Sequence, residues 1–194
     1  VAAALSPYDG MVQSAARSVA SGDKQGAVGV LLSAISLERS NPTAFVRLGR
    51  LLITTGQMDD AASQFQLALA ASPDHVEATF GMAEALASGG RLEESLKYFK
   101  RAAESAAGSA PSTPSSTSHD EEAHASADGT ADDPVSRSIA RAKAALALRC
   151  SIHRAWGDAL SSLGYLEEAA GQYEISLQIQ EQGTLSDTGA VRSV

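Results

Sequence analysis

The chain carries one short signature four times, and three of the copies are in register. They read Gly22-Asp23-Lys24-Gln25-Gly26-Ala27, Gly56-Gln57-Met58-Asp59-Asp60-Ala61, Gly90-Arg91-Leu92-Glu93-Glu94-Ser95 and Gly164-Tyr165-Leu166-Glu167-Glu168-Ala169. The first three glycines are 34 residues apart. A fixed period of this size marks a repeat architecture, in which each unit buries its apolar face against its neighbours. The period therefore decides the fold class before any local pattern does. It also turns attention from catalytic pockets to binding surfaces.

Each signature lies between two helical patterns. In residues 42–75, Phe45, Leu48, Gly49 and Leu52 fall on one helix face. Gly56 closes that helix, because a residue without Cβ enters the left-handed region at no steric cost. Asp59 or Asp60 is expected to start and cap the second helix, where carboxylates favour the exposed N–H groups. Ala61, Phe65, Ala68 and Leu69 form its apolar stripe, and Ser72-Pro73-Asp74 ends it. Residues 76–109 repeat the unit with Phe80, Met82, Ala83 and Leu86, then Leu92, Leu96 and Phe99. Residues 8–41 are weaker but in phase, through Met11, Ala15, Ala27, Leu31, Ala34 and Ile35.

Gly164 is displaced from the register by 40 residues. The displacement coincides with residues 107–133, which are rich in Ser, Thr, Pro, Ala and acids and nearly free of large apolar side chains. Such a segment buries too little surface to offset its ordering entropy, so it is predicted to be a disordered insertion. Six of the acids in the chain lie there (Asp120, Glu121, Glu122, Asp128, Asp132, Asp133), with no Lys or Arg. They account for most of the net charge of −8 and leave the rest at −2. No basic face for nucleic acid is expected from that balance. Residues 134–183 read as a long helix, either continuous or broken near Ser151, followed by a fourth repeat whose second helix ends near Gly183. Residues 184–194 read as a tail.

The expected organisation is three repeats over 8–106 (units 8–41, 42–75 and 76–109), an insertion over 107–133, and a long helix with a fourth repeat over 134–183. These residues resemble the tetratricopeptide repeat (TPR) family. That family pairs a large residue, Leu-Gly and a further apolar residue in the first helix with a small residue, an aromatic and an alanine in the second. Phe45, Leu48, Gly49, Leu52, Gly56, Ala61, Phe65, Ala68 and Pro73 match well. The third unit matches through Met82, Ala83, Leu86, Gly90, Ser95, Phe99 and Ala102, with Thr79 in place of the large first residue. Residues 150–183 match through Trp156-Gly157, Leu160, Gly164, Ala169, Tyr173 and Leu177, with His153 and Ser176 as departures. The resemblance covers about three quarters of the chain. It implies an all-α, right-handed α-solenoid of helix-turn-helix repeats.

In that family the first helices line a concave groove that takes a partner protein or peptide. The same phase here gives Val12 and Ala16, then Val46, Arg47, Arg50 and Ile53, then Phe80, Glu84 and Ala87, and finally Arg154, Asp158 and Ser161. Val12 and Ala16 stand where a carboxylate-clamping Lys and Asn would stand, so capture of a chaperone tail is not expected. Arg47 and Arg50 are suited to an acidic peptide. The implied function is a non-enzymatic scaffold within a multi-subunit assembly, inside the cell and in the cytoplasm. A looser likeness, through the long helix and Trp156-Gly157-Asp158, is to the TPR subunit of the superkiller complex, which supports RNA decay with the exosome. A further alternative is an appendage to an enzyme whose catalytic domain lies outside this segment.

No catalytic, cofactor or metal site is expected. His119, His124 and the acids between them form no rigid ligand frame. Cys150 and His153 share a helix face, but no third orienting group accompanies them. Gly89-Gly90 lacks the Lys-Ser/Thr of a phosphate loop. The pairs Glu93-Glu94 and Glu167-Glu168 read as helix starts, and Trp156 as packing. Cys150 is the only cysteine, so no internal disulfide forms; this fits a reducing compartment. No apolar run reaches the length of a membrane span.

Overall fold

The computed structural model describes residues 6–108 and 134–190. Every element in them is a helix: α1 (Pro7–Ala20), α2 (Lys24–Leu37), α3 (Pro42–Thr54), α4 (Met58–Ala71), α5 (Val76–Ser88), α6 (Leu92–Gly108), α7 (Pro134–Ser162) and α8 (Leu166–Ala190). The expected all-α repeat is thus the fold observed. Two compact units divide it, at residues 1–98 and 99–194.

The signature glycines explain the hairpins. Gly22, Gly56, Gly90 and Gly164 have φ between 80° and 87°. In α3, α5 and α7 the glycine N–H and the N–H after it return to carbonyls of the last turn: Gly56 to Ile53 and Gln57 to Leu52, Gly90 to Ala87 and Arg91 to Leu86, Gly164 to Ser161 and Tyr165 to Leu160. This pair of bonds satisfies carbonyls that the helix end would leave open, and it reverses the chain for the next helix.

The helix starts differ from one another. Asp23 caps α2 by accepting from the Gly26 N–H at 2.9 Å. Asn41 caps α3 through the Thr43 N–H at 3.1 Å. At α4 the capping position is Gln57, which makes no side-chain cap. Asp59 and Asp60 lie in the first turn of that helix, so they act on its dipole and not as caps, contrary to expectation.

In the first unit α1 packs on α2, α2 on α3, α3 on α4, and α5 on both α3 and α4. One core cluster holds Tyr8, Val12, Ala15, Ala27, Leu31, Ala34, Ala44, Leu48 and Leu51. A second gathers Phe45, Val46, Ala61, Ala62, Phe65, Ala68, Ala78 and Ala85. Phe65 is the keystone of the second. A Cβ on Gly49 of α3 would lie 2.7 Å from its Cζ, and one on Gly81 of α5 would meet the same ring. The two glycines open the space that the ring fills. The family's Leu-Gly thus has a steric cause here.

In the second unit α7 packs along α8. Gly157 repeats the role of Gly49, with an added Cβ placed 2.7 Å from Tyr173. Both glycines precede their aromatic ring by 16 residues. α7 is one unbroken helix of 29 residues, without a break at Ser151. α8 continues through Gly183 to Ala190, so the helix does not stop where the sequence suggests. A glycine costs an established helix only about 1 kcal/mol. α6 also runs two residues into the segment beginning at 107. The rest of the expected insertion lies outside the described residues.

Candidate functional site

α3 and α5 lie side by side, which brings the expected groove residues of the first unit onto adjoining helices. Some of their apolar members are core residues. Val46 is 3% exposed and Phe80 4% exposed, so both belong to the core. Val12 is buried in the same way. The reason is geometric. In a tightly packed first helix the core stripe is wide enough to absorb positions next to the groove. Ala16, Ile53 and Ala87 are half-buried.

The polar members remain. Arg47 is half-buried, and its Nε is shielded from solvent with no hydrogen-bond partner among the described residues. Arg50 is exposed, and its Nη2 lies 4.0 Å from Oε1 of Glu77 on α5. Glu84, two helical turns beyond Glu77, is half-buried. Burial raises its carboxyl above the ordinary carboxylate range, and the nearby Arg50 charge pulls it only partly back. Arg50 thus faces two carboxylates of α5. Sequence reasoning missed Glu77; the seven-residue spacing to Glu84 was the available signal.

His75 was also missed. It caps α5, its Nδ1 accepting the Ala78 N–H at 3.2 Å. Nδ1 must be unprotonated to accept. Burial lowers the pKa of His75; Glu77 works against that shift and Arg50 with it.

Arg154, Asp158 and Ser161 are exposed on α7, in the second unit. Asp158 is engaged there, its Oδ1 accepting the Tyr173 hydroxyl at 2.7 Å. That bond raises the Tyr173 pKa. Cys150 and His153 are each occupied elsewhere. The Cys150 sulfur lies 3.0 Å from the Ser176 hydroxyl. His153 Nδ1 lies 2.8 Å from Gln172 Oε1, and its ring stacks on Trp156 at 6.3 Å. Glu93-Glu94 and Glu167-Glu168 occupy first helical turns, as expected. Among the described residues no three His, Cys, Asp or Glu side chains gather as metal ligands. His119, His124 and their acids lie outside those residues. No described helix is long and apolar enough to cross a membrane.

A family model described as tetratricopeptide repeat matches residues 18–75 and 46–110. A curated relative, "Protein CTR9 homolog" of Arabidopsis thaliana, is 36% identical over 66 residues. The match covers 34% of this chain and 6% of that protein's length. Among solved structures, the MamA protein superposes with a TM-score of 0.62 at 12% identity, covering 92% of this chain and 75% of the other. The Yersinia enterocolitica type III secretion translocator chaperone SycD gives 0.50 at 22% identity, over 55% of this chain and 74% of the other. At such identities these likenesses establish the fold alone.

Proposed function

Because this chain belongs to the tetratricopeptide repeat family, we propose that it is a non-catalytic scaffold that holds a segment of a partner protein against the α3–α5 face. One observation carries the reading: Arg47 Nε is shielded from solvent with no acceptor among the described residues. On α5 the half-buried Glu84 is raised by burial, with the Arg50 charge opposing. A buried unpaired group costs about 1–3 kcal/mol, which a bound segment recovers by supplying the missing partner. The acidic peptide expected from two arginines is accordingly revised. Arg50 already faces Glu77 and Glu84, so a segment of mixed charge suits the face better. It brings an acceptor to Arg47 and a cation to Glu84.

Membership in a multi-subunit assembly is proposed on the repeat architecture. The stretch behind the superkiller likeness has a local explanation. Gly157 makes room for Tyr173, and Asp158 holds its hydroxyl. The enzyme-appendage alternative depends on the full reading frame, where a catalytic domain would favour it.

The test is affinity purification with the chain, an Arg47→Glu/Arg50→Glu variant and a Glu84→Lys variant. Partners that depend on the face are lost from both variants. If both retain the same partners at the same yield, the face is not the binding site.

A further inference from the structure

The seam between α2 and α3 differs from the seam between α4 and α5 at positions related by the 34-residue period. In the later seam Ala62 of α4 and Ala85 of α5 share one core cluster. A Cβ on Gly89 would lie 3.5 Å from the Cβ of Met58, so the methionine stands against the glycine. Small residues let these helix ends close, and Met58 plugs the space that remains. In the earlier seam the corresponding residues are Val28, Leu51 and Thr55, and Lys24 replaces Met58. Three larger side chains hold the helix ends apart, because packed side chains cannot interpenetrate. The residue at the plug position now has a charged end that stays in water. The outcome is a cavity of about 340 Å³ between α2 and α3.

Val28, Leu51 and Leu52 give this cavity an apolar wall, with Gln25, Thr55 and Gln57 at its exposed rim. Lys24 is the one charged residue of the lining, and it makes no ion pair among the described residues. We propose that the cavity binds a small amphiphile, a medium-chain aliphatic carboxylate. The unbranched chain takes the place that the unbranched Met58 holds in the later seam. The carboxylate meets the Lys24 ammonium at the rim. The volume falls within the range of small-molecule sites, about 300–1,000 Å³, and is larger than a single partner side chain would fill. The site lies between α2 and α3, so it is separate from the α3–α5 face.

The experiment titrates the isotopically labelled full chain with sodium octanoate and follows the amide signals by NMR. The expected result is saturable movement of the Val28, Leu52 and Thr55 amides at millimolar octanoate. Hexanoate should bind about fifteenfold more weakly, because each buried methylene is worth about fourfold. Lys24→Gln removes the charge and leaves the cavity open, so octanoate should weaken about two- to fivefold. Lys24→Met supplies the plug of the later seam; it should abolish the movement and raise the melting temperature. The Arg47→Glu/Arg50→Glu chain should bind octanoate normally. Any of five results would overturn the proposal: no movement of these amides, equal binding of hexanoate and octanoate, or retained binding by Lys24→Met. The fourth is octan-1-ol binding as tightly as octanoate, which would make the cavity an apolar anchor without a role for Lys24. The fifth is movement of the same amides with protein concentration alone, which would assign the cavity to a second copy of the chain.

Discussion

The hydroxyl of Tyr8 accepts a hydrogen bond from the backbone N–H of Ala44 at 2.9 Å. The two residues are 36 apart and belong to successive hairpins. Ala44 lies in the first turn of α3, so a side chain of α1 supplies a cap that α3 cannot make for itself. Asn41 caps the neighbouring N–H of Thr43. Tyr8→Phe keeps the ring and removes the acceptor. It should cost about 1–3 kcal/mol, since the bond is buried. Asn41→Ala should cost about 1 kcal/mol. Urea unfolding of the two variants checks the order.

Phe65 demands glycine on both sides. Gly49→Ala places a methyl group inside the van der Waals radius of the ring, and overpacking of this kind costs roughly 1–3 kcal/mol. Phe65→Leu opens a gap in the same place. The double variant should be more stable than the sum of the two losses predicts. A double-mutant cycle on chemical denaturation measures that coupling, expected at about 0.5–3 kcal/mol. Strict additivity would show that the ring and Gly49 do not compete for one space.

Gly56 should tolerate substitution worst for its backbone and best for its surroundings. A Cβ there meets nothing within 4 Å, yet φ is +80°. Gly56→Ala should cost about 1–2 kcal/mol, with Gly56→Asn costing less because asparagine tolerates the left-handed region. Thermal melts of the pair against the parent provide the comparison.

Two groups beside the α3–α5 face give opposite dependences on pH. The folded pKa of His75 lies below its ordinary 6.5, with burial as the main cause, Glu77 opposing and Arg50 assisting. The unfolded chain therefore binds the proton first. The His75 contribution is fully present above pH 6.5 and is lost as pH falls through the folded pKa. Imidazolium also ends the cap on Ala78. Glu84 is shifted upward from 4.5 by burial. Its contribution is present below pH 4.5 and is lost as pH rises through its folded pKa. Two outcomes follow. His75→Asn, which keeps a capping oxygen, should flatten the stability loss between neutral and mildly acidic pH. Glu84→Gln should raise stability at pH 7. Denaturation midpoints across pH 4.5–8 test both signs.

The residues that were legible in sequence share a property: local backbone geometry alone requires them. Gly56 and its equivalents need positive φ, so they recur with the period and declare it. Phe65 and Ala61 follow because close helix contact allows few alternatives. What was not legible depends on partners distant in sequence or on the width of the core. Nothing local to Tyr8 announces that it caps α3. His75 is a rare cap, and its role depends on a ring nitrogen meeting the Ala78 N–H. Val46 and Phe80 sit at the boundary between groove and core phases, where helical periodicity cannot separate one from the other. Gly183 shows the converse: a glycine without a turn behind it is simply part of a helix.

Arg47 in α3 holds the position that Gly81 holds in α5, while Leu31 in α2 holds that of Phe65 in α4. The bulky ring meets the missing side chain of Gly81, and by the 34-residue register the smaller leucine corresponds to the long arginine. The repeats are therefore not interchangeable parts. Excising residues 42–75 would remove Gly56 with its unit but keep the 34-residue spacing between Gly22 and Gly90, yet by the same register set Leu31 against Gly81 and leave a hole between them. Shuffling or slippage within the underlying coding repeats would thus yield chains with correct periodicity and defective seams. The order of the units is written into the sizes of the side chains that join them.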